Sequence, residues 1–500
     1  MATAIPHTDV AGIARPAGRL DIATALEPYS GPWTQRHAAH LLRRAGFGSS
    51  SDEAARFAGM PMHDAVDSLV NFPSTQALPA PPPLYDPREA IRDNLMNGIA
   101  AMFGGQDQKD ELRRKVGMEI RKGERDSVIA LQRWWLQRML TTPAPLQEKM
   151  AAYFHGHFTT ATIQKGVTPQ MTFDQNQLFR DNALGNLREL TWNVSIDPAM
   201  LIYLDNSKSD AQHPNENYAR ELMELFTLGV DHYTENDVRE SARAWTGWIV
   251  VRRTGKARFL PGRHDNGSKT FLGQTGNFNG RDVVDIIYRQ PACAAFWANS
   301  LLNFFVYNSP EPQLVDAVAA LIRKNDYNLK PVMSTLLRSN LFYSNRAYRA
   351  LVKSPVEFVI GTYKSLGLTQ IDERAQRALA QMGQVLFYPP NVAGWPGGSN
   401  WLTSQTVIAR ENFVAGLMNS PMMDRQSWMD QVPLKASSAA SQLVDRILFG
   451  DASPTALAQL AGYLNGAGTS ALGMLSGENY QERVRGAAYL TMAMPAYQLN

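Results

Sequence analysis

Glu216, Arg220, Glu221 and Glu224 recur at helical spacing in PNENYARELMELFTLG, residues Pro214–Gly229. At about 100° per residue they share one sector of a helical wheel with Asn217. Tyr218, Leu222, Leu225 and Phe226 fall opposite, with Met223 at the margin. Arg220 stands four residues from both Glu216 and Glu224, a spacing that permits ion pairs on consecutive turns. If other segments cover this face, the acids are suited to metal ligation or to acid–base work. Arg220 would then orient them or hold an anionic group of a substrate. If water covers it, the same residues are a salt-bridged surface. The helix alone leaves both readings open.

Histidine supplies the next candidates. His155 and His157 stand two apart in YFHGHFTT. On a continuous helix they would diverge by roughly 200°. Gly156 offers a helix end, and in an extended segment residues two apart share a side and can meet one metal. The alternative is one buried imidazole satisfied by a carbonyl and one exposed. A third ligand is available in RHDNGSKTFLGQTG, where His264 and Asp265 precede an Asn-Gly turn and Lys269 follows. That segment also reads as a polar loop whose Asp265 caps the turn. Thr234 and Asp237 form a near capping box, and Arg243 on the helix they start can answer nearby acids.

An aromatic glycine-rich loop, PPNVAGWPGGSNWLT, carries Trp395 and Trp401 with Asn400 between them. Two indoles and an amide make a platform for a sugar ring or another flat ligand. The same tryptophans serve equally to pin a loop against a helical body.

These residues must be positioned by helices. Capping and stop signals recur throughout: Thr34 before QRHAAHLLRRAGFG, Ser51 before DEAARFAG, and Pro143 after RDSVIALQRWWLQRMLTT. Strand signals are confined to GWIVVRRTG and ARFLPG, which predict one short hairpin. The expected fold is all-α, a large multi-helix single body. Residues 1–30 read as an N-terminal extension, 31–430 as the main helical domain, and 431–500 as a C-terminal helical appendix. A proline-rich connection over 73–87 interrupts the main domain.

Hydrophobic content of 44% with 19% charged residues is that of a globular chain rather than a disordered one. A net charge of +3 over 500 residues, with basic residues scattered, predicts no nucleic-acid partner. The one cysteine, Cys293, excludes an intrachain disulfide and a cysteine-based zinc cage, and its apolar neighbours predict a buried thiol. The longest apolar run, Ala294 to Tyr307, is broken by Asn299 and Asn303, so no membrane span is expected. No export signal is visible, which predicts a cytoplasmic location; a signal already removed would make it periplasmic.

Four ordered blocks together resemble one bacterial family. They are HAAHLLRRAGFG, the run from NENYARELMELFTLG to SARAWTGW, the run from HDNGSKTFLGQTG to SLLNFFV, and PPNVAGWPGGSNWLT. The family is catalogued as a domain of unknown function, number eighteen hundred. The resemblance covers about residues 31–430 and implies a predominantly helical protein. It implies no reaction or cofactor. Its members often look exported and often lie beside a sulfatase-like family, which suggests a partner of that kind and an envelope or exported substrate.

Two functions follow as expectations. One is a hydrolase whose pocket joins the charged helix, the HGH segment and the HDNGSK turn. In its metal form a divalent ion is held by His155, His157 and His264, with Glu221 or Glu224 as fourth ligand or base. In its metal-free form two carboxylates among Glu216, Glu221, Glu224 and Asp265 act on a saccharide or anionic substrate. Arg243, Lys269, Trp395, Asn400 and Trp401 would then bind substrate. The other is a non-catalytic accessory protein that docks a hydrolase-like partner.

Overall fold

Thr234 and Asp237 close a full capping box on the helix Glu235–Ala244, and the same device opens Gly280–Tyr288 with Asn279 and Asp282. A third box, Ser354 with Glu357, opens Pro355–Ser365. In each, two orphan N–H donors of the first turn are satisfied reciprocally, which fixes where the helix begins. The cap of Ser51–Ala58 is Ser50, one residue earlier than the sequence suggests, and its hydroxyl accepts from Glu53 N at 3.0 Å.

The computed structural model describes residues 21–72, 79–87, 94, 105–251, 253–466 and 480–500. Most of the expected N-terminal extension, residues 1–20, and residues 73–78 of the proline-rich connection lie outside them. The described chain is predominantly helical, with two two-stranded antiparallel hairpins rather than the single one expected. Trp248–Val251 pairs with Lys256–Phe259, and Lys269–Phe271 pairs with Gln274–Gly276. The second hairpin was hidden because three-residue strands carry too little alternation to be read. The helix Gln106–Thr141 begins twenty residues before the expected start at Asp126.

One continuous core runs from Ala25 to Tyr497. Residues 431–500, expected as an appendix, contribute Leu443, Val444, Ile447, Val484 and Met492 to that same core. Two backbone bonds tie the end of this region to the main body. Lys353 N donates to Gln498 O at 2.9 Å, and Asn500 N donates to Leu351 O at 2.7 Å. No helix among the described residues is long and apolar enough to cross a membrane.

Candidate functional site

A cavity of about 520 Å³ opens between two helices that present the same spacing to it. From Pro145–His157 come Lys149, Ala152, Tyr153, Gly156 and His157; from Pro291–Phe305 come Phe296, Asn299, Ser300, Asn303 and Phe304. Both sets step by i, i+3, i+4, i+7, i+8, the stripe that one helix face exposes. The rest of the wall is Phe47, Asn308, the segment around Leu351–Glu357, Gln384, the loop from Trp395 to Gly398, Trp401 and Asn500. The volume lies within the roughly 300–1,000 Å³ range of small-ligand sites.

The polar groups of the cavity are mostly neutral. Tyr153 OH and Ser300 Oγ meet at 2.6 Å and bridge the two helices. Asn303 Nδ2 donates to Asn299 Oδ1 at 3.0 Å, and Asn303 Oδ1 accepts from Ser309 N at 2.9 Å, so this amide is held in one orientation. Asn299 and Asn308 are exposed. At the floor, Lys149 Nζ pairs with Glu357 Oε1, and Ser354 N donates to Glu357 Oε2 at 2.7 Å. Burial would push the Glu357 carboxyl up, but Lys149 overcomes it and holds the group below the usual carboxylate range.

The loop Pro389–Thr403 closes over the His155–Gly156 turn. Gly394 has φ +81°, a conformation that favours glycine, and a Cβ there would strike the Gly156 carbonyl. This close approach seats the Trp395 ring 5.4 Å from His155, edge to face. Trp395 and Trp401 both line the cavity. The Trp395 indole N–H is buried with no acceptor among the described residues. Asn400 points elsewhere: it is exposed and its Nδ2 donates to Gly397 O at 3.2 Å within its own turn.

The histidine pair behaves differently from the extended arrangement expected. The helix continues through Gly156 to His157, so the two imidazoles leave on opposite sides. His155 is buried among Trp135, Phe387 and Trp395, and its Nε2 accepts from Phe387 N at 3.1 Å. Its proton is therefore on Nδ1. His157 faces the cavity and its Nε2 donates to Phe226 O at 2.9 Å. Burial lowers His155 to about 3 and His157 to about 4, so both are neutral at physiological pH. His264 joins neither; its Nδ1 lies 2.9 Å from Thr246 O. Among the described residues no group of three or more histidines, cysteines or acids is placed to hold a metal ion. The three-histidine site is thereby corrected.

The charged helix is the solvated surface. Arg220 makes a two-pronged bond to Glu235 at 2.7 and 2.8 Å and lies 3.8 Å from Glu216. The Glu235 side chain is 68% exposed and that of Glu216 47%. Glu224 accepts from Tyr233 OH at 2.9 Å. Half-burial, and then the neighbouring Glu224, raise the Glu221 carboxyl. None of these acids lines the cavity. Their helix reaches it from behind, through the backbone. Glu216–Glu221 is α-helical, but Leu222–Thr227 widens into a π-helix. Tyr218, Leu222 and Phe226 are buried as the wheel expects, but in the widened turn Met223 is fully buried and Leu225 only partly, so these two exchange places. The Phe226 carbonyl that holds His157 belongs to this turn.

The HDNGSK turn is a clamp. Arg243 donates from Nε to Asp265 Oδ2 at 2.7 Å, from Nη2 to Oδ1 at 3.2 Å, and from Nη1 to both Glu240 oxygens at 3.0 Å. Lys269, although buried, gives its ammonium to Asp265 O at 2.6 Å and Gly267 O at 3.0 Å. Hydrogen bonding to Arg243 holds the Asp265 carboxyl below its usual range. These partners dock the second hairpin on Glu235–Ala244 rather than open a pocket. Arg243→Ala is expected to loosen this loop, seen as faster proteolytic nicking near Asn266.

The sequence reading missed Lys149, Tyr153, Asn299, Ser300, Asn303 and Glu357. Their signal was present as two matched stripes of small polar and aromatic residues, but it acquires meaning only when the two helices are seen to face each other. No curated protein and no solved structure matches the chain significantly. With this helical body and these blocks in place, the comparison with protein families is decisive: the model of the family described as "Protein of unknown function (DUF1800)" matches residues 40–499, and the chain belongs to it.

Proposed function

We propose that the cavity binds a saccharide and that the protein acts by holding it. The observation that carries this reading is the composition of the two facing stripes. Phe296, Phe304 and Trp395 offer aromatic faces to the C–H side of a sugar ring. Asn299, Asn303, Ser300 and Tyr153 offer amide and hydroxyl groups that can exchange hydrogen bonds with ring hydroxyls. Hydrolysis by paired carboxylates finds less support. Glu357 is the only acid among the lining residues, and both its oxygens are already engaged. In this reading the sulfatase-like partner suggested by the family resemblance would be the catalytic half of a pair.

Glycan binding by the purified protein tests the idea. Trp395→Ala and Asn299→Ala are each expected to weaken binding about tenfold or more. Arg220→Ala, on the solvated face, is expected to leave it unchanged. Equal binding by wild type and Trp395→Ala would sink the proposal, and release of reducing ends over time would restore the hydrolase reading.

A further inference from the structure

Arg43, Arg44, Lys149, Arg349, Lys353 and Arg410 are each at most 5% exposed. The carboxylates that face them are Glu357, Asp451 and the half-buried Glu411. Six basic side chains thus face three acidic side chains in the interior of the protein, and burial among the arginines lowers Lys353 well below the usual ammonium range. Buried charge of one sign is costly unless something answers it. The internal answers are incomplete. Arg43 rests over the Tyr348 and Phe449 rings with Asp451 in electrostatic reach, while two buried guanidinium nitrogens of Arg44 and one of Arg410 lack an acceptor among the described residues. Such groups are rare in native folds and call for an explanation.

This cluster adjoins the cavity. Lys149 lines the floor, and Arg44, Lys353 and Arg410 all act on its partner Glu357. Leu351, Val352 and Ser354 line the cavity, while Lys353 turns away towards Tyr497, its ammonium 3.8 Å from the ring centroid. Arg44, Lys353 and Arg410 are thus within electrostatic reach of the acid at the cavity floor, with little water to screen them. Among the described residues Glu357 is the one acidic side chain that lines the cavity.

We infer that the occupant of the cavity is an anionic glycan, bearing carboxylate, sulfate or phosphate groups, with one acidic group seated at the Lys149 end. This rests on the saccharide reading and specifies its substrate class. The bound acid takes a charge-assisted hydrogen bond from Lys149 and relieves the repulsion among the cations around Glu357.

The test compares a neutral, a uronate and a sulfated hexasaccharide by calorimetry, in the wild type and in Lys149→Met/Glu357→Gln. The double variant removes both charges of the pair, so no orphaned carboxylate is left to unfold the site. In the wild type the acidic glycans are expected to bind about tenfold to a hundredfold tighter than the neutral one, with the advantage shrinking as salt rises. In the double variant the ratio is expected to fall severalfold with the loss of the Lys149 bond, while the part owed to the remaining cations stays. The uronate and sulfate arms show which acid is preferred. A neutral glycan bound as tightly as both acidic ones overturns the inference and leaves the saccharide reading standing. If no glycan binds, that reading fails, and inorganic sulfate and phosphate decide the rest. Thermal stabilisation over chloride at equal ionic strength, diminished in the double variant, keeps the anion site; its absence overturns it.

Discussion

Glu148→Ala is expected to lower the stability of the protein by about 3–5 kcal/mol, the largest loss from any single charge removal proposed for this chain. The Glu148 side chain is 0% exposed. Arg180 grips it from Nε at 2.7 Å and Nη2 at 3.0 Å, Arg138 bonds the same carboxylate, and Trp135 Nε1 donates to it at 2.9 Å. Burial pushes its carboxyl up, but Arg180 and then Arg138 overcome this and hold it below the ordinary value. Truncation leaves the buried Arg180 with only the neutral oxygens of Asn176 and Gln177, and deprives Arg138 and the Trp135 indole N–H of their shared carboxylate. Urea denaturation should show a lower midpoint with an unchanged slope. A shift below about 1 kcal/mol, the range of exposed pairs, would refute the assignment of this network as a core element. Glu235→Ala, which breaks the exposed pair with Arg220, is the control and should leave the midpoint where it is.

The second large effect concerns acid. His155 is neutral in the fold because burial among Trp135, Phe387 and Trp395 lowers it to about 3 from an ordinary 6.5. A depressed folded value means the unfolded chain takes up the proton first. The stabilisation is thus complete above about pH 6.5 and drains away as pH falls towards 3, by up to about 4 kcal/mol for this one group. His157, lowered to about 4, adds a smaller contribution of the same sign. His155→Gln removes the titration while leaving an oxygen that can accept from Phe387 N. The expected result is an acid limb of the stability profile that is shallower by close to one proton. A profile that overlays that of the wild type between pH 6 and 3 would show that His155 is already charged in the fold.

Local punctuation in the sequence was legible. Thr234 with Asp237 marks a helix start and the structure places one there. The continuity of the core is less visible, because a helix such as Gln35–Arg44 is packed on several sides. Ala38 to Arg44 are all buried, so the adjacent basic pair Arg43–Arg44 lies inside. The candidate site was harder still. Attention to charge leads to Glu216–Glu224 and to HDNGSK, and both turn out to be internally paired surfaces. The cavity is built instead from Asn, Ser, Tyr and Phe, whose types are unremarkable one at a time. Asn299 and Asn303 were noticed only as interruptions of an apolar run. Trp395 and Trp401 were legible because two of the chain's 10 tryptophans fall together in one glycine-rich loop. The π-helical turn at Leu222–Thr227 leaves no trace in a wheel drawn at a fixed angle.

The cavity draws on residues from Phe47 to Asn500, and its wall at Leu351–Lys353 is braced by Gln498–Asn500. During translation, therefore, a nascent chain carries both facing stripes long before the brace that finishes their enclosure has left the ribosome. Prematurely terminated products would display bare Phe296 and Phe304 to the surrounding medium, inviting chaperones or proteases. Enclosure of the cavity therefore waits on the synthesis of residues 498–500.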